Sequence, residues 1–174
     1  MTTYKIDASH SEVGFKIRHL MITNVTGKFT EFDATLESDK EDLSDAKISF
    51  EANVNSITTH NEQRDGHLKS DDFFNAEKFP KLTFVSTGIT KKSDDEFVLA
   101  GNLTIRDVTK LVELAVEYGG KIVDPYGQTK LGFEIVGKIN RKDFGLTWSA
   151  TTETGGLVVA DEVKLQVTVE MVKQ

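Results

Sequence analysis

The sequence predicts an all-β protein, a single closed antiparallel barrel of about eight strands that spans residues 1–174. Two observations lead to this prediction. Apolar and polar residues alternate over most of the chain, which is the period of a strand with one buried face. The alternating stretches are also long, and a sheet of long strands removes its unpaired edges by closing on itself. A two-sheet sandwich is the alternative architecture for the same pattern.

Eight alternating stretches follow one another along the chain. The clearest lies between residues 46 and 57, where every second residue is apolar and most of the others are charged or polar. Turn-forming segments separate the stretches, as at residues 38–42, 91–95 and 124–127. The apolar faces of the eight stretches begin at Val13, Phe32, Ala46, Leu82, Phe97, Val112, Phe133 and Val163.

One segment, at about residues 60–76, interrupts the alternation and predicts a short helical insertion with a following loop. Ser70, with Asp71 and Asp72 after it, is typical of a second helix start, because a serine cap and acidic residues stabilise the first turn. Pro80 ends this stretch before the next strand. Residues 144–160 are rich in Gly, Thr and Ser and predict a long loop.

The composition excludes several classes of function. The chain has no cysteine, which excludes disulfides, thiolate catalysis and cysteine-ligated zinc. With a net charge of −7, it is not expected to bind nucleic acid, and it is expected to lack a cluster of Lys and Arg that would hold it on an anionic membrane surface. No apolar stretch approaches the roughly 20 residues that insert stably across a bilayer. The absence of a secretory signal predicts a cytoplasmic protein, or a periplasmic one if a signal has been removed.

Catalytic, metal-binding and cofactor sites are not predicted. His60 and His67 lie seven residues apart, whereas histidine pairs that bind metals on a helix are usually spaced i, i+4. Asp7, His10 and Ser11 are the residue types of a hydrolytic triad. Neighbours along a strand point to opposite faces, however, and no nucleophile elbow is present. A side-chain turn at the start of a strand is therefore the better interpretation.

The aromatic residues predict a dry barrel interior, because 11 of them are Phe, against three Tyr and one Trp. A filled core explains this composition, and so does a cavity for a long apolar ligand. Inward-facing glycines such as Gly101 and Gly137 favour a cavity, because small residues make room along a barrel axis. The lining is predicted to consist of Phe15, Ile17, Phe50, Val54, Phe84, Leu103, Phe133 and Trp148, with Phe73 and Phe74 near the opening.

The densest polar cluster, formed by Arg64, Asp65 and His67, lies in the predicted helix. One interpretation is a solvated helix face. In the other, the helix covers one opening of the barrel, and these three residues bind the head group of the ligand. Two further alternatives stay open. One is an enzyme acting on a lipid or small hydrophobic substrate, with His67 and Asp65 in acid–base roles; the other is a structural or stress-related module with a filled barrel.

Short motifs follow one another in order over nearly the whole chain. They open with Tyr4, Ile6, Asp7, His10, Ser11, Val13, Phe15, Ile17 and His19, and continue at residues 56–59, 64–68, 72–74, 79–80, 84–87, 101–105, 141–146 and 161–163. In these motifs the chain resembles the YceI-like, polyisoprenoid-binding family. The resemblance implies a lipocalin-like barrel that binds an isoprenoid, an isoprenoid quinone or a fatty lipid in its pore. It also implies a homodimer and no established catalysis. Asp107 stands where the family often has Gly, at a predicted turn.

Overall fold

One antiparallel sheet of eleven strands closes into a barrel in the computed structural model, which describes residues 1–150 and 158–174. The ring runs β1–β4–β5–β7–β8–β9–β10–β11 and returns to β1, while β2, β3 and β6 extend from β11. The strands are β1 (Thr2–Ile6), β2 (Glu12–His19), β3 (Thr23–Phe29), β4 (Phe32–Ser38), β5 (Lys47–Asn53), β6 (Ile57–Thr58), β7 (Lys81–Lys91), β8 (Glu96–Ile105), β9 (Val108–Val123), β10 (Thr129–Asn140) and β11 (Val159–Lys173).

The eleven strands occupy only eight positions around the barrel, because three long strands are each divided into two shorter ones. β1 and β2 are halves of one strand, separated by a 3₁₀ turn at Ala8–His10, and both pair with β11. Thr30 and Glu31 separate β3 from β4, and a second 3₁₀ turn at Val54–Ser56 separates β5 from β6. The closed eight-stranded barrel predicted from the alternation is therefore confirmed, and the sandwich alternative is wrong.

The predicted helical insertion contains α1 (Glu62–Lys69). Its first turn is capped by Asn61, whose side-chain oxygen accepts a hydrogen bond from the Arg64 N–H. The helix lies at the end of the barrel where β2 and β10 finish and β11 begins. We call this end the α1 end. None of the helices in the described part of the chain is long and apolar enough to span a bilayer.

The second helix predicted at Ser70 does not form. Instead, the backbone N–H groups of Phe74 and Ala76 donate to the carbonyl oxygens of Leu68 and Lys69. Residues 71–79 therefore fold back as turns and satisfy the carbonyl groups that α1 leaves free at its C-terminus. The long loop predicted at 144–160 is shorter at its C-terminal side, since β11 already begins at Val159; residues 151–157 lie outside the described residues.

Packing inside the barrel is uneven along its length. On β11, Val169 and Met171 are buried, whereas Val163, Leu165 and Val167 share the same inward face and are only half-buried. The same change occurs along β2, β9 and β10, whose inward-facing residues are buried toward the opposite end and half-buried toward the α1 end. The empty space inside the barrel is therefore greater toward α1 than at the opposite end, although buried residues such as Val169 and Met171 also border it.

The end of the barrel opposite α1 is covered by the segment between β4 and β5, residues 39–46. Leu43 in this segment is buried in the core. Asp45 holds the segment in place, since its carboxylate accepts hydrogen bonds from the Ser38 hydroxyl (2.6 Å) and from the backbone N–H of Asp39 (2.9 Å). These bonds, that of Ser38 first, lower the pKa of Asp45 from 3.8 to about 2.

Because the pKa of Asp45 is lower in the folded protein, its ionised form stabilises the fold at all pH values above about 4. This stabilisation is lost as the pH falls from about 4 to about 2. Asp45→Asn is thus expected to lower the urea midpoint at neutral pH, and the difference from the parent protein should shrink across that range. Urea unfolding followed by circular dichroism measures this. A difference that stays constant down to pH 2 would contradict it.

The two inward-facing glycines do not enlarge the interior, which corrects their predicted role. At Gly101, the ring of Phe84 from the neighbouring strand lies where a Cβ atom would be, and the Val85 carbonyl oxygen lies only 2.7 Å from that position. At Gly137, a methyl group of Leu114 occupies the corresponding place. These glycines allow large side chains of the next strand to lie flat against the wall.

Candidate ligand-binding cavity

A cavity of about 400 Å³ lies inside the barrel and is lined almost entirely by apolar side chains. Protein interiors are normally packed so closely that few voids exceed the size of a water molecule. A volume of this size falls instead in the range of small-molecule binding sites. The filled-barrel alternative therefore does not describe this structure.

All but two of the predicted site residues lie on the cavity wall. The aromatic residues predicted near the opening lie close to α1, where the Phe73 and Trp148 rings have centroids 5.6 Å apart. Whether these side chains contact a ligand stays a prediction. The predicted residues on the wall are Phe15, Ile17, Phe50, Arg64, His67, Phe73, Phe74, Phe84, Leu103, Phe133 and Trp148.

Val54 and Asp65 lie outside the wall, which corrects the predicted lining. Val54 begins the 3₁₀ turn after β5, so the alternation that would have pointed it inward ends before it. The carboxylate of Asp65 accepts hydrogen bonds from the N–H (2.8 Å) and the hydroxyl (2.6 Å) of Thr59. Asp65 therefore fixes the connection between β6 and α1.

The predicted lining missed the aliphatic half of the wall. Most of the residues in the predicted lining are aromatic, whereas β9, β10 and β11 contribute mainly branched aliphatic residues. The alternation that predicted these strands already placed most of these residues on a single face, so the signal was available in the sequence. The aliphatic wall residues of these three strands are Val112, Leu114, Val116, Ile135, Ile139, Val159, Val163, Leu165, Val167 and Val169.

The cavity opens at the α1 end. Arg18 and Arg64 are the wall residues that are exposed to solvent, and both lie at this end. His67 is half-exposed beside them, and its ring packs edge-on against the rings of Phe73 and Trp148, with centroids 5.1 and 5.0 Å away. The opening is therefore bordered by aromatic and cationic side chains.

Arg64 is held in one orientation at this opening. Its Nε donates to the Thr59 hydroxyl (2.8 Å), and one terminal nitrogen donates to the Thr59 carbonyl oxygen (2.9 Å). Among the described residues, no carboxylate forms an ion pair with this guanidinium. Because an arginine fork has further N–H donors, Arg64 retains the capacity to bind an acceptor group in the opening.

Arg141 is a second cation of the wall, and it is only 2% exposed. Its guanidinium donates to the carbonyl oxygens of Leu146 (2.6 Å), Trp148 (2.7 Å) and Ala160 (2.8 Å). Burial lowers the pKa of Arg141, and the charge of Asp161, 3.7 Å away, opposes this shift. Arg141 thereby ties the segment after β10, which carries Trp148, to the start of β11.

The polar wall groups are donors or histidines rather than acids. The wall contains three arginines and two histidines but no Asp or Glu. The acid–base pair of the enzyme alternative is not assembled, because Asp65 bonds to Thr59 and the Nε2 atom of His67 pairs with Asp72 at 2.8 Å. The arrangement can thus bind an apolar chain and orient an acceptor group at one end of it.

A separate acidic cluster lies on the outside of the barrel. Among the described residues, Asp7, His10 and Glu170 have potential metal-ligand atoms within 4.8 Å of one another. The ammonium group of Lys130 lies 3.8 Å from the carboxylates of both Asp7 and Glu170 and supplies the positive charge there. Asp7 also accepts a hydrogen bond from the Ser9 N–H, which is the predicted side-chain turn.

Comparison with known proteins matches the YceI-like domain to residues 4–171. The protein YceI of Salmonella newport is 42% identical over 173 residues, which cover 98% of this chain and 87% of that protein. The crystal structure of BcnA from Burkholderia cenocepacia superposes with a TM-score of 0.83 at 22% identity, covering 95% of this chain and 98% of BcnA. A polyisoprenoid binding domain from Saccharophagus degradans superposes with a TM-score of 0.68 at 13% identity, with 98% of both chains covered.

Proposed function

Because this chain belongs to the YceI-like family, we propose that it binds one long-chain lipid, an isoprenoid, an isoprenoid quinone or a fatty lipid, and carries or sequesters it. The observation that carries this proposal is the apolar cavity of about 400 Å³ inside the barrel. Each methylene buried in such a cavity contributes roughly 0.8 kcal/mol, so a long chain gains enough to offset the cost of its immobilisation. The name of the Saccharophagus domain supports the isoprenoid class.

The head group of this lipid is proposed to lie at the α1 end, beside Arg64 and His67. Both residues border the opening, and Arg64 has donors that its bonds to Thr59 do not use. A head that carries acceptor oxygens, such as a quinone carbonyl, a carboxylate or a phosphate, suits these donors. Chain length and shape would then set the selectivity of the cavity, and the opening would set the orientation of the ligand.

Carriage is favoured over catalysis by the environment of the polar groups. Asp65 is engaged with Thr59 and does not reach the cavity, so the acid–base pair of the enzyme alternative lacks one member. A carrier releases its ligand chemically unchanged, whereas an enzyme releases a product. The state of the recovered lipid therefore separates the two functions.

Native mass spectrometry of the freshly purified protein, followed by solvent extraction and lipid analysis, tests the proposal. We expect a defined adduct that extraction releases as an intact lipid. A protein with the mass of the chain alone, which also fails to take up added isoprenoid quinone or fatty acid, would refute lipid binding. A chemically altered lipid would support the enzyme alternative instead.

We further propose that the protein acts as a homodimer. Pairing with Asn102 brings Val85 of β7 and Leu111 of β9 into one row on the outer face of the barrel. Both side chains are more than half exposed, and a two-fold contact between copies would bury part of this apolar surface. Sedimentation equilibrium measures the oligomeric state directly.

A further inference from the structure

The turn between β2 and β3 presents three consecutive apolar side chains to solvent at the open end of the barrel. Leu20 is 40% exposed, Met21 61% and Ile22 75%. The turn adjoins the cavity, because the Leu20 N–H donates to the carbonyl oxygen of Val158, itself a wall residue (2.8 Å). An apolar tip therefore lies at the rim of the opening.

The backbone of this turn has an uncommon conformation for its residue types. Leu20 and Met21 have φ values of +52° and +65°, a region that Gly and Asn adopt far more readily. Neither side chain contributes to the barrel core. Folding alone does not require a leucine and a methionine at these positions. Their apolar character is consistent with a contact outside the molecule.

The two strands that lead to the tip are basic. Residues 13–30 contain Lys16, Arg18 and Lys28 and no Asp or Glu, in a chain whose net charge is −7. The three cations share one side of the hairpin, since Lys28 pairs with Gly14 and strand alternation places residues 14, 16 and 18 together. Arg18, near the end of β2, also borders the cavity opening. In the described residues, none of the three forms an ion pair.

The cations were not recognised as a cluster in the sequence, because nine residues separate Arg18 from Lys28. The hairpin pairing brings them to one face, on which Arg18 lies next to the apolar tip, Lys16 follows, and Lys28, opposite Gly14, lies furthest from the tip. Apolar side chains next to lysine and arginine are the combination with which peripheral proteins bind the interface of an anionic bilayer. An acidic protein surface would match the cations but not the apolar tip.

We propose that the β2–β3 hairpin docks the open end of the barrel on an anionic lipid bilayer. Leu20, Met21 and Ile22 insert among the head groups, and the cations nearest the tip, Arg18 and Lys16, face the lipid phosphates. The contact is peripheral, because three residues are far too few to span a bilayer. Docking in this orientation places the cavity opening against the membrane. This inference goes beyond lipid binding, since docking does not require a lipid in the cavity. Only the biological role of docking rests on the proposed function.

Co-sedimentation with vesicles tests the docking. Vesicles of phosphatidylcholine mixed with phosphatidylglycerol are compared with vesicles of phosphatidylcholine alone, using the parent protein and Ile22→Asp. We expect the parent protein to prefer the anionic vesicles, and Ile22→Asp to weaken this binding by about tenfold or more. Ile122→Asp is the matched control, because Ile122 is 66% exposed at the opposite end of the barrel, and it should bind vesicles like the parent protein.

Several outcomes would overturn the docking. These are an absence of vesicle binding by the parent protein, no loss in Ile22→Asp, or an equal loss in Ile122→Asp. A change of oligomeric state in Ile22→Asp without an effect on vesicles would assign the tip to a second copy of the chain. Native mass spectrometry of the same samples keeps the two proposals separate. A parent protein that holds no lipid, takes up no added isoprenoid quinone or fatty acid, and still binds vesicles would refute the proposed function and leave the docking intact.

Discussion

Replacement of Arg141 by methionine is expected to lower the free energy of unfolding by about 3–5 kcal/mol. The methionine would fill much of the same space, but it would leave the carbonyl oxygens of Leu146, Trp148 and Ala160 without their donor. Each buried acceptor that loses its partner costs about 1–3 kcal/mol, since water cannot replace the donor at a site that is only 2% exposed. Urea unfolding measures the loss.

Lys142→Met is the control for this prediction. Lys142 is the next residue along the chain, but it is exposed, and its ammonium group lies 3.3 Å from the Asp161 carboxylate. Its replacement should change the free energy of unfolding by no more than about 0.5 kcal/mol. If Arg141→Met were as stable as Lys142→Met, the guanidinium would not be what joins the segment after β10 to β11. The fluorescence of Trp148, the single tryptophan, reports on that segment independently.

Replacement of Leu165 by tryptophan is expected to weaken lipid binding about fifty-fold. Leu165 lies in the part of β11 toward the α1 end, where its half-buried side chain borders the cavity. The larger ring would take the room of about three methylenes of the ligand, each contributing about 0.8 kcal/mol. Fold stability should change little, because the ring fills empty space rather than displacing packed neighbours. Titration with a fatty acid or an isoprenoid quinone measures the affinity.

Gln166→Trp provides the matched comparison, because Gln166 is the next residue on β11 and points outward. This variant introduces the same ring on the same strand without entering the cavity, so it should bind lipid with unchanged affinity. Equal losses in both variants would mean that the effect comes from the strand rather than from the cavity. Unchanged binding in Leu165→Trp would place the ligand elsewhere on the molecule.

Strand alternation predicted the barrel because it is a local signal that the tertiary structure reinforces. The alternation did not predict the strands correctly where the chain changes direction but stays in the sheet. β1, with Tyr4 as its buried residue, is too short for the pattern to be recognised, and the 3₁₀ turn at Ala8–His10 breaks its continuity with β2. The helix start predicted at Ser70 was wrong for a similar reason, since hydrogen bonds to the end of α1 outweigh the local preference of Ser-Asp-Asp.

The cavity wall was predictable in part. Phe15, Phe84 and Phe133 could be assigned from strand faces, because an inward position depends only on alternation and closure. Polar residues could not be assigned in this way. Asp65 was placed in the opening for its charge, yet its hydrogen bonds to Thr59 direct it away from the cavity. Nothing in the sequence near Arg141 indicates that carbonyl groups of the segment after β10 and of the start of β11 converge on its guanidinium.

The closure of the ring constrains how the protein can fold. Ile6 of β1 pairs with Met171 of β11, so the first and last strands of the described chain complete the barrel. This contact cannot form during synthesis until β11 has left the ribosome. Until then, β2 and β10 each lack the neighbour that β11 provides, and their apolar faces stay open to solvent. Contacts between such distant residues also slow folding. The nascent chain is thus most exposed to aggregation before its last strand emerges, which is when a chaperone would have the greatest effect.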